Sequence, residues 1–162
     1  AAKQAALGAA GKRARWHLIG HLQRNKAKDA VALFDVIHSV DSRALIEALE
    51  RHAAAAHRAL EVLVQVNVSG EATKFGCDPQ DAASLVSAIQ AGPLRLVGLM
   101  TIAPFAEDPE TARPHFRRLR ELRDSLDHNL KLSMGMSSDF EVAIEEGADW
   151  VRIGTAIFGA RA

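Results

Sequence analysis

Strand-like runs and helix-like segments alternate along the whole chain, and this alternation limits the architectures open to it. Arg15–Gly20 (RWHLIG), Val36–Val40 (VIHSV), Glu61–Val68 (EVLVQVNV), Leu94–Met100 (LRLVGLM), Lys131–Met134 and Trp150–Ile153 read as six strands. The third is nearly continuous in apolar, β-branched residues, the pattern of a strand buried on both faces. The segments between them carry helical signals. One helix runs through Ala30, Val31, Leu33 and Phe34; a second is capped by Asp41 or Ser42 and turns Leu45, Ile46 and Leu49 to one face. Asp78-Pro79 opens a third, with Leu85, Val86 and Ile89 inward. In Glu110–Asp127 the stripe is Phe116, Leu119, Leu122 and Leu126, and Arg117, Arg118, Arg120 and Arg123 are expected to form its solvated face. A strand–helix unit recurs every 25–30 residues or about that, which calls for a parallel sheet with crossover helices. The first fifteen residues or so read as the end of a helix and a Gly-containing turn.

Such a sheet is either open and doubly wound or closed into a barrel. No G-x-G-x-x-G follows the first strand, which weakens the dinucleotide-binding option. A closed (β/α)8 barrel usually needs eight strands and about 250 residues, and six strands are legible here. The last stretch, Leu130–Ala160, is the most informative. Gly135, Ser137 and Ser138 interrupt one strand, Ser138-x-x-Glu141 reads as a capping box, the helix behind it stops at Gly147, and Gly154-Thr155 opens a turn after the final strand. Two consecutive strands thus run through small-residue loops into helix starts, where free amides and hydroxyls take phosphate. The loops after the last two strands of a barrel commonly form such a site. Loops of this composition also serve as plain capped turns.

Bulk composition narrows the function classes. Among 162 residues, 20 Lys+Arg balance 20 Asp+Glu, so no basic field for nucleic acid or an acidic membrane surface is expected. The single cysteine, Cys77, excludes an internal disulfide and suits a reducing, cytoplasmic setting. No apolar run approaches a membrane span, no signal peptide is visible, and the chain has no initiator Met. The seven histidines include His17 and His38 on strands, without metal-ligand spacing; no metal is expected, and His17 reads as a packed, hydrogen-bonded residue.

Five segments together resemble the pyridoxal 5′-phosphate (PLP) homeostasis protein family: WHLIGHLQRNK (16–26), HSVD (38–41), QVNVSGEATKFG (65–76), LVGLMTIAP (96–104) and SMGMSSDFEVAIEEGADWVRIGTAIFG (133–159). The resemblance implies a (β/α)8 TIM barrel of the alanine-racemase N-terminal type, here about six βα units of an incomplete barrel. It implies a single PLP-binding domain over residues 1–162 that lacks the first two βα units. The family's Schiff-base lysine lies on its first strand, in a segment resembling AVSK, and no residue here corresponds to it.

By that resemblance, the phosphate cradle is Ser137 with neighbouring amides after one strand and Gly154-Thr155 after the next. Gly135 and Met136 flank the first loop as further cofactor-binding candidates. Arg152 is the arginine that faces the pyridine nitrogen, and alternation puts it on the same face as Gly154. An arginine there only donates, so it disfavours protonation of the ring and weakens carbanion stabilisation. Alanine racemase is understood to add a tyrosine from a second domain, and this sequence contains no tyrosine. The expectation is a non-catalytic carrier or regulator of intracellular PLP, monomeric at full length, with PLP or phosphate as its ligand. A PLP-dependent racemase and a barrel enzyme acting on a phosphometabolite are the alternatives. Lys74, in a loop at a strand's C-terminal end, is a secondary candidate or a solvated loop residue. Asn67 and Thr101 are weaker mouth candidates. Lys26 and Lys28, near His21 and Arg24, form a basic cluster or a solvated face.

Overall fold

The computed structural model describes residues 2–71 and 73–159. Two short helices, α1 (Ala2–Ala6) and α2 (Gly8–Arg13), precede six strands: β1 (His17–Leu18), β2 (Val36–Val40), β3 (Glu61–Gln65), β4 (Arg95–Met100), β5 (Lys131–Met136) and β6 (Trp150–Arg152). Helices α3 (Ala27–Leu33), α4 (Arg43–Ala55), α5 (Ala82–Gln90), α6 (Arg113–Leu126) and α7 (Phe140–Glu145) are the crossovers, and α8 (Thr155–Phe158) follows β6. All strands are parallel and lie in chain order, β1-β2-β3-β4-β5-β6.

The sheet is a curled half-barrel. His38 on β2 reaches Ser133 on β5 across the concave face, 2.9 Å between Nδ1 and Oγ. The Trp150 ring of β6 meets the His17 ring of β1 edge-on at 5.4 Å. Val36, Leu63 and Met100 form a small inner cluster, flanked by Val97, Ile102 and Trp150. The larger core lies on the convex side, where Leu45, Ile46, Leu49, Ile89, Phe116 and Leu119 from the helices cover Ile37, Val62, Val64 and Leu132. These are the apolar stripes expected from the periodicity, and no propensity argument beyond them is needed to seat the helices.

Several local features differ from the sequence reading. β3 ends at Gln65, because Val66 and Cys77 form an isolated parallel bridge in which Asn67 N donates to Cys77 O and Cys77 N to Gln65 O, each 2.9 Å. That bridge folds the 66–78 loop back on its own strand. β5 continues through Gly135 to Met136 and is not broken there, since Gly135 takes φ +88° within the strand. Asp78 caps its turn as expected, accepting from Gln80 N at 3.1 Å with Pro79 beside it. The Ser138–Glu141 capping box does not form: Asp139 occupies the N-cap of α7, no side chain caps that helix, and the Asp139 carboxylate accepts from Met136 N at 2.6 Å. Gly147 ends α7 at φ +91°.

The arginines of α6 do more than face solvent. Arg117 and Arg118 are exposed, but Arg118 donates to Val68 O at 3.2 Å and Arg123 to Leu130 O at 2.9 Å. Glu146, buried at the end of α7, draws in three of the helix's cations. Its Oε1 accepts from Arg113 at 3.2 Å and Arg117 at 3.0 Å, and Oε2 pairs with the Arg120 charge at 2.9 Å. This clamp fastens the helix after β5 onto the helix before it. A periodicity argument marks which face is polar; it does not mark which polar residues have a buried partner.

Candidate functional site

The site lies where β5 and β6 end. Met136 ends β5, the β5–α7 connection carries Ser137, Ser138 and Asp139, and the β6–α8 connection carries Ile153 and Gly154. A cavity of about 370 Å³ opens between them, walled by Phe105, Met136, Ser137, Arg152, Gly154 and Thr155. Five of the six residues read from the sequence as cofactor-binding therefore share one space. Gly135 does not line it. A Cβ at that position would lie 2.5 Å from the Ala143 Cβ and 3.1 Å from the Phe140 Cα, so glycine there serves the seating of α7 on β5. Gly154 is the opposite case: a Cβ built on it meets nothing within 4 Å.

The two loops are tied by one hydroxyl. Ser137 Oγ accepts from Gly154 N at 3.1 Å and from Ala156 N at 3.3 Å. Two amides at the start of α8 therefore converge on a single acceptor. Accepting two N–H groups polarises the hydroxyl and strengthens it as a donor. Its own proton remains to be offered to an anionic oxygen in the cavity, the geometry by which small-residue loops hold phosphate.

Arg152 supplies the cation. Nη1 donates to Ser133 Oγ at 2.9 Å and Nη2 to Thr101 O at 2.8 Å. Burial pulls its pKa down to about 10, with Asp139 acting in the opposite direction, so it stays protonated at neutral pH. No ion pair to Arg152 occurs among the described residues. Its Nε is sealed from solvent and has no hydrogen-bond partner. A buried donor left this way costs on the order of 1–3 kcal/mol, which a ligand acceptor would relieve.

The remaining sequence candidates lie elsewhere. Thr101 contributes its carbonyl to Arg152, and its hydroxyl donates to Val66 O at 2.8 Å. Asn67 is spent on its own loop: Oδ1 accepts from Ser69 Oγ at 3.0 Å and Gly70 N at 3.1 Å, and Nδ2 donates to Glu71 O at 2.9 Å. Asn67 is thus a turn residue with no polar atom left for the mouth. Lys74 is half-buried in the same loop, where its carbonyl also faces Asn67 Nδ2, and it is not a wall of the cavity; Ala72, two residues before it, lies outside the described residues. His21 stacks on Phe75 at 4.0 Å between ring centres. Burial pushes the Cys77 thiol up to about 12, with Asp81 and Asp41 adding to the rise, so it is no nucleophile. No cluster of His, Cys, Asp or Glu suited to a metal ion occurs among the described residues, and no helix among them is long and apolar enough to cross a membrane.

Sequence reasoning missed Ser133, His38 and Phe105. Ser133 stands alone and His38 beside Ser39 inside otherwise apolar stretches of strand, and nothing in their spacing shows that β2 and β5 face each other. Phe105, 80% exposed, walls the cavity from the loop after β4.

Residues 3–162 match the family described as "Alanine racemase, N-terminal domain". The sequence is 47% identical over 152 residues to the pyridoxal phosphate homeostasis protein of Aquifex aeolicus, covering 90% of this chain and 67% of that protein. It is 48% identical over 148 residues to the protein of the same name from Pseudomonas aeruginosa, covering 90% and 64%. The chain thus spans about two thirds of the length of these curated relatives. Among solved structures, PipY of Synechococcus elongatus with PLP bound superposes with a TM-score of 0.83 at 41% identity, over 98% of this chain and 76% of that one.

Proposed function

Because this chain belongs to the alanine racemase N-terminal domain family, and within it to the pyridoxal phosphate homeostasis proteins, we propose that it binds PLP at the β5/β6 cavity and serves as a carrier without turning over substrate. The carrying observation is the meeting, around one space, of an arginine protonated at neutral pH whose buried Nε lacks a partner and a β6–α8 loop whose amides converge on Ser137 of the β5–α7 loop. A phosphate monoester on a nitrogen heterocycle suits both ends. The PLP bound to the structurally similar PipY supports the same ligand class.

PLP supplies a reactive aldehyde and a ring that delocalises negative charge. Ser137 O–H and the Thr155 amide and hydroxyl would hold the phosphate, with Gly154, whose own amide is given to Ser137, leaving open the space that any larger residue would fill. Arg152 would donate to the ring nitrogen and, being protonated at neutral pH, keep that nitrogen from gaining a proton. The carboxylate of the β5–α7 loop, Asp139, is engaged by Met136 N and is not presented as an acid/base group. The sequence holds no tyrosine to serve as one. A reducing cytoplasm suits the single thiol, Cys77.

The test is a PLP titration of the purified chain, read by absorbance and competed with inorganic phosphate, alongside an assay for alanine racemisation. One equivalent of PLP, displaced by phosphate, weakened a few-fold in Ser137→Ala (about one neutral hydrogen bond) and accompanied by no racemisation is the expected result. Binding indifferent to phosphate, or measurable racemisation, would overturn the reading.

A further inference from the structure

Inside the apolar concave face of the sheet a line of polar groups leads away from Arg152, and its other members have no part in the binding scheme above. Arg152 Nη1 meets Ser133 Oγ at 2.9 Å; His38 Nδ1 lies 2.9 Å from that same oxygen; His38 Nε2 lies 2.8 Å from His17 Nδ1. The line joins β6, β5, β2 and β1, and Thr101 O after β4 holds the other arm of the guanidinium. Trp150 packs against both imidazoles, 5.4 Å from His17 and 5.3 Å from His38 between ring centres.

One direction of donation along this line leaves none of its protons without an acceptor. Arginine only donates, so Ser133 Oγ accepts from it. Ser133 is fully buried, and the acceptor within reach of its proton among the described residues is His38 Nδ1. His38 therefore carries its proton on Nε2 and donates to His17 Nδ1. Burial, with the charges of His17 and Arg152, pulls the His38 pKa down to about 3 and keeps the ring neutral. Burial, reinforced by Arg15 and opposed by Asp35 and Glu61, also lowers His17. Every link is satisfied, and the group left unpaired at the end is Arg152 Nε.

We propose that His38 is a positioning residue: acting through Ser133, and with its tautomer held by His17, it orients the Arg152 guanidinium so that Nε–H is available to the ring acceptor of a bound heterocyclic phosphate. The inference rests on Arg152 being the ring-nitrogen partner, and it deepens that reading. A filler role predicts something different. If these residues only packed the half-barrel, altering His38 would weaken all ligands alike through stability.

The experiment compares the parent chain, His38→Leu and His38→Asn, each first checked for folding by circular dichroism. Leucine removes the acceptor for Ser133, and asparagine restores one near the place of Nδ1. Three probes are titrated: PLP, an analogue with the ring nitrogen replaced by C–H, and inorganic phosphate. The expected result for His38→Leu is a loss of PLP affinity of about tenfold, the worth of one charge-assisted hydrogen bond, with the analogue and phosphate unchanged and most of the loss restored in His38→Asn. Equal weakening of all three probes, or an intact preference for PLP over the analogue, would overturn the proposal. Nitrogen-15 spectra of the ligand-free parent supply a separate readout: His38 protonated on Nε2 supports the relay, and protonation on Nδ1 overturns it. A parent chain that fails to bind PLP would sink the proposed function, while the tautomer still decides the relay.

Discussion

The two strand ends that frame the cavity are built on different principles. At the end of β5, Gly135 sits at φ +88° with no room for a Cβ, Asp139 locks the turn through Met136 N, and α7 is clamped to α6 by buried Glu146. At the end of β6, Gly154 has φ −123° and open space where a Cβ would be, and α8 is a four-residue, exposed turn of helix. The two ends are joined through the Ser137 hydroxyl. One glycine serves the protein's own packing, and the other stands beside open space on the cavity wall. A cavity needs both kinds of wall: a rigid side that fixes where the acceptor sits, and an open side whose amides are delivered to it.

The largest effect expected from breaking this contrast is at the rigid end. Gly135→Ala combines a left-handed backbone with a Cβ 2.5 Å from that of Ala143. Strain and overpacking together cost about 3 kcal/mol, to be read from urea unfolding. Ala143→Gly in the same chain recovers the overpacking part and leaves the backbone part. Equal losses in the single and double variants would show that the contact is not what excludes alanine.

Gly154→Ala is the matched change at the open end. Its backbone is not in the left-handed region and the space is free, so stability stays within about 0.5 kcal/mol of the parent while phosphate competition against PLP weakens about tenfold. A Gly154→Ala chain that unfolds as readily as Gly135→Ala would erase the distinction between the two ends.

The smallest effect is confined to acid. The Arg117 and Arg113 guanidiniums hold the Glu146 carboxyl below its ordinary 4.5, burial opposing them. Above that value the carboxyl is ionised in folded and unfolded chains alike, and the clamp contributes its full stability. As pH falls below 4.5 the unfolded chain takes up the proton first, and the contribution is lost as pH passes the lower folded value. The difference between parent and Glu146→Gln in urea midpoint should therefore be constant near neutrality and shrink below pH 4.5. A difference that persists unchanged at pH 3 would assign the clamp's effect to packing alone.

Much of the framework was legible in the residues. All six strands were placed, Val36–Val40 to the residue, because a buried parallel strand writes its apolar run locally. The apolar faces of α4, α5 and α6 followed from their 3.6-residue period. Ser137, Gly154 and Thr155 were grouped because consecutive strands in a parallel sheet end side by side, so neighbours in the chain become neighbours at the mouth, while Met136 and Arg152 joined them through the family resemblance. Asn67, a weaker candidate for the mouth, has its amide bonded within its own turn, and an amide at a strand end has the same appearance in the sequence in either role.

What lay beyond the sequence was every contact made across the barrel and between helices. His38 meets Ser133 and His17 meets Trp150 because the sheet curls, and curl is a property of the paired strands and no single one of them. Glu146 collects Arg113, Arg117 and Arg120 because two helices pack, a fact absent from either helix alone. Local order is written in nearest neighbours along the chain, so periodicity and turn residues disclose it. The tautomer of an imidazole and the free arm of a guanidinium depend on partners as many as 95 residues away, and only the curl of the sheet brings those partners within hydrogen-bond reach.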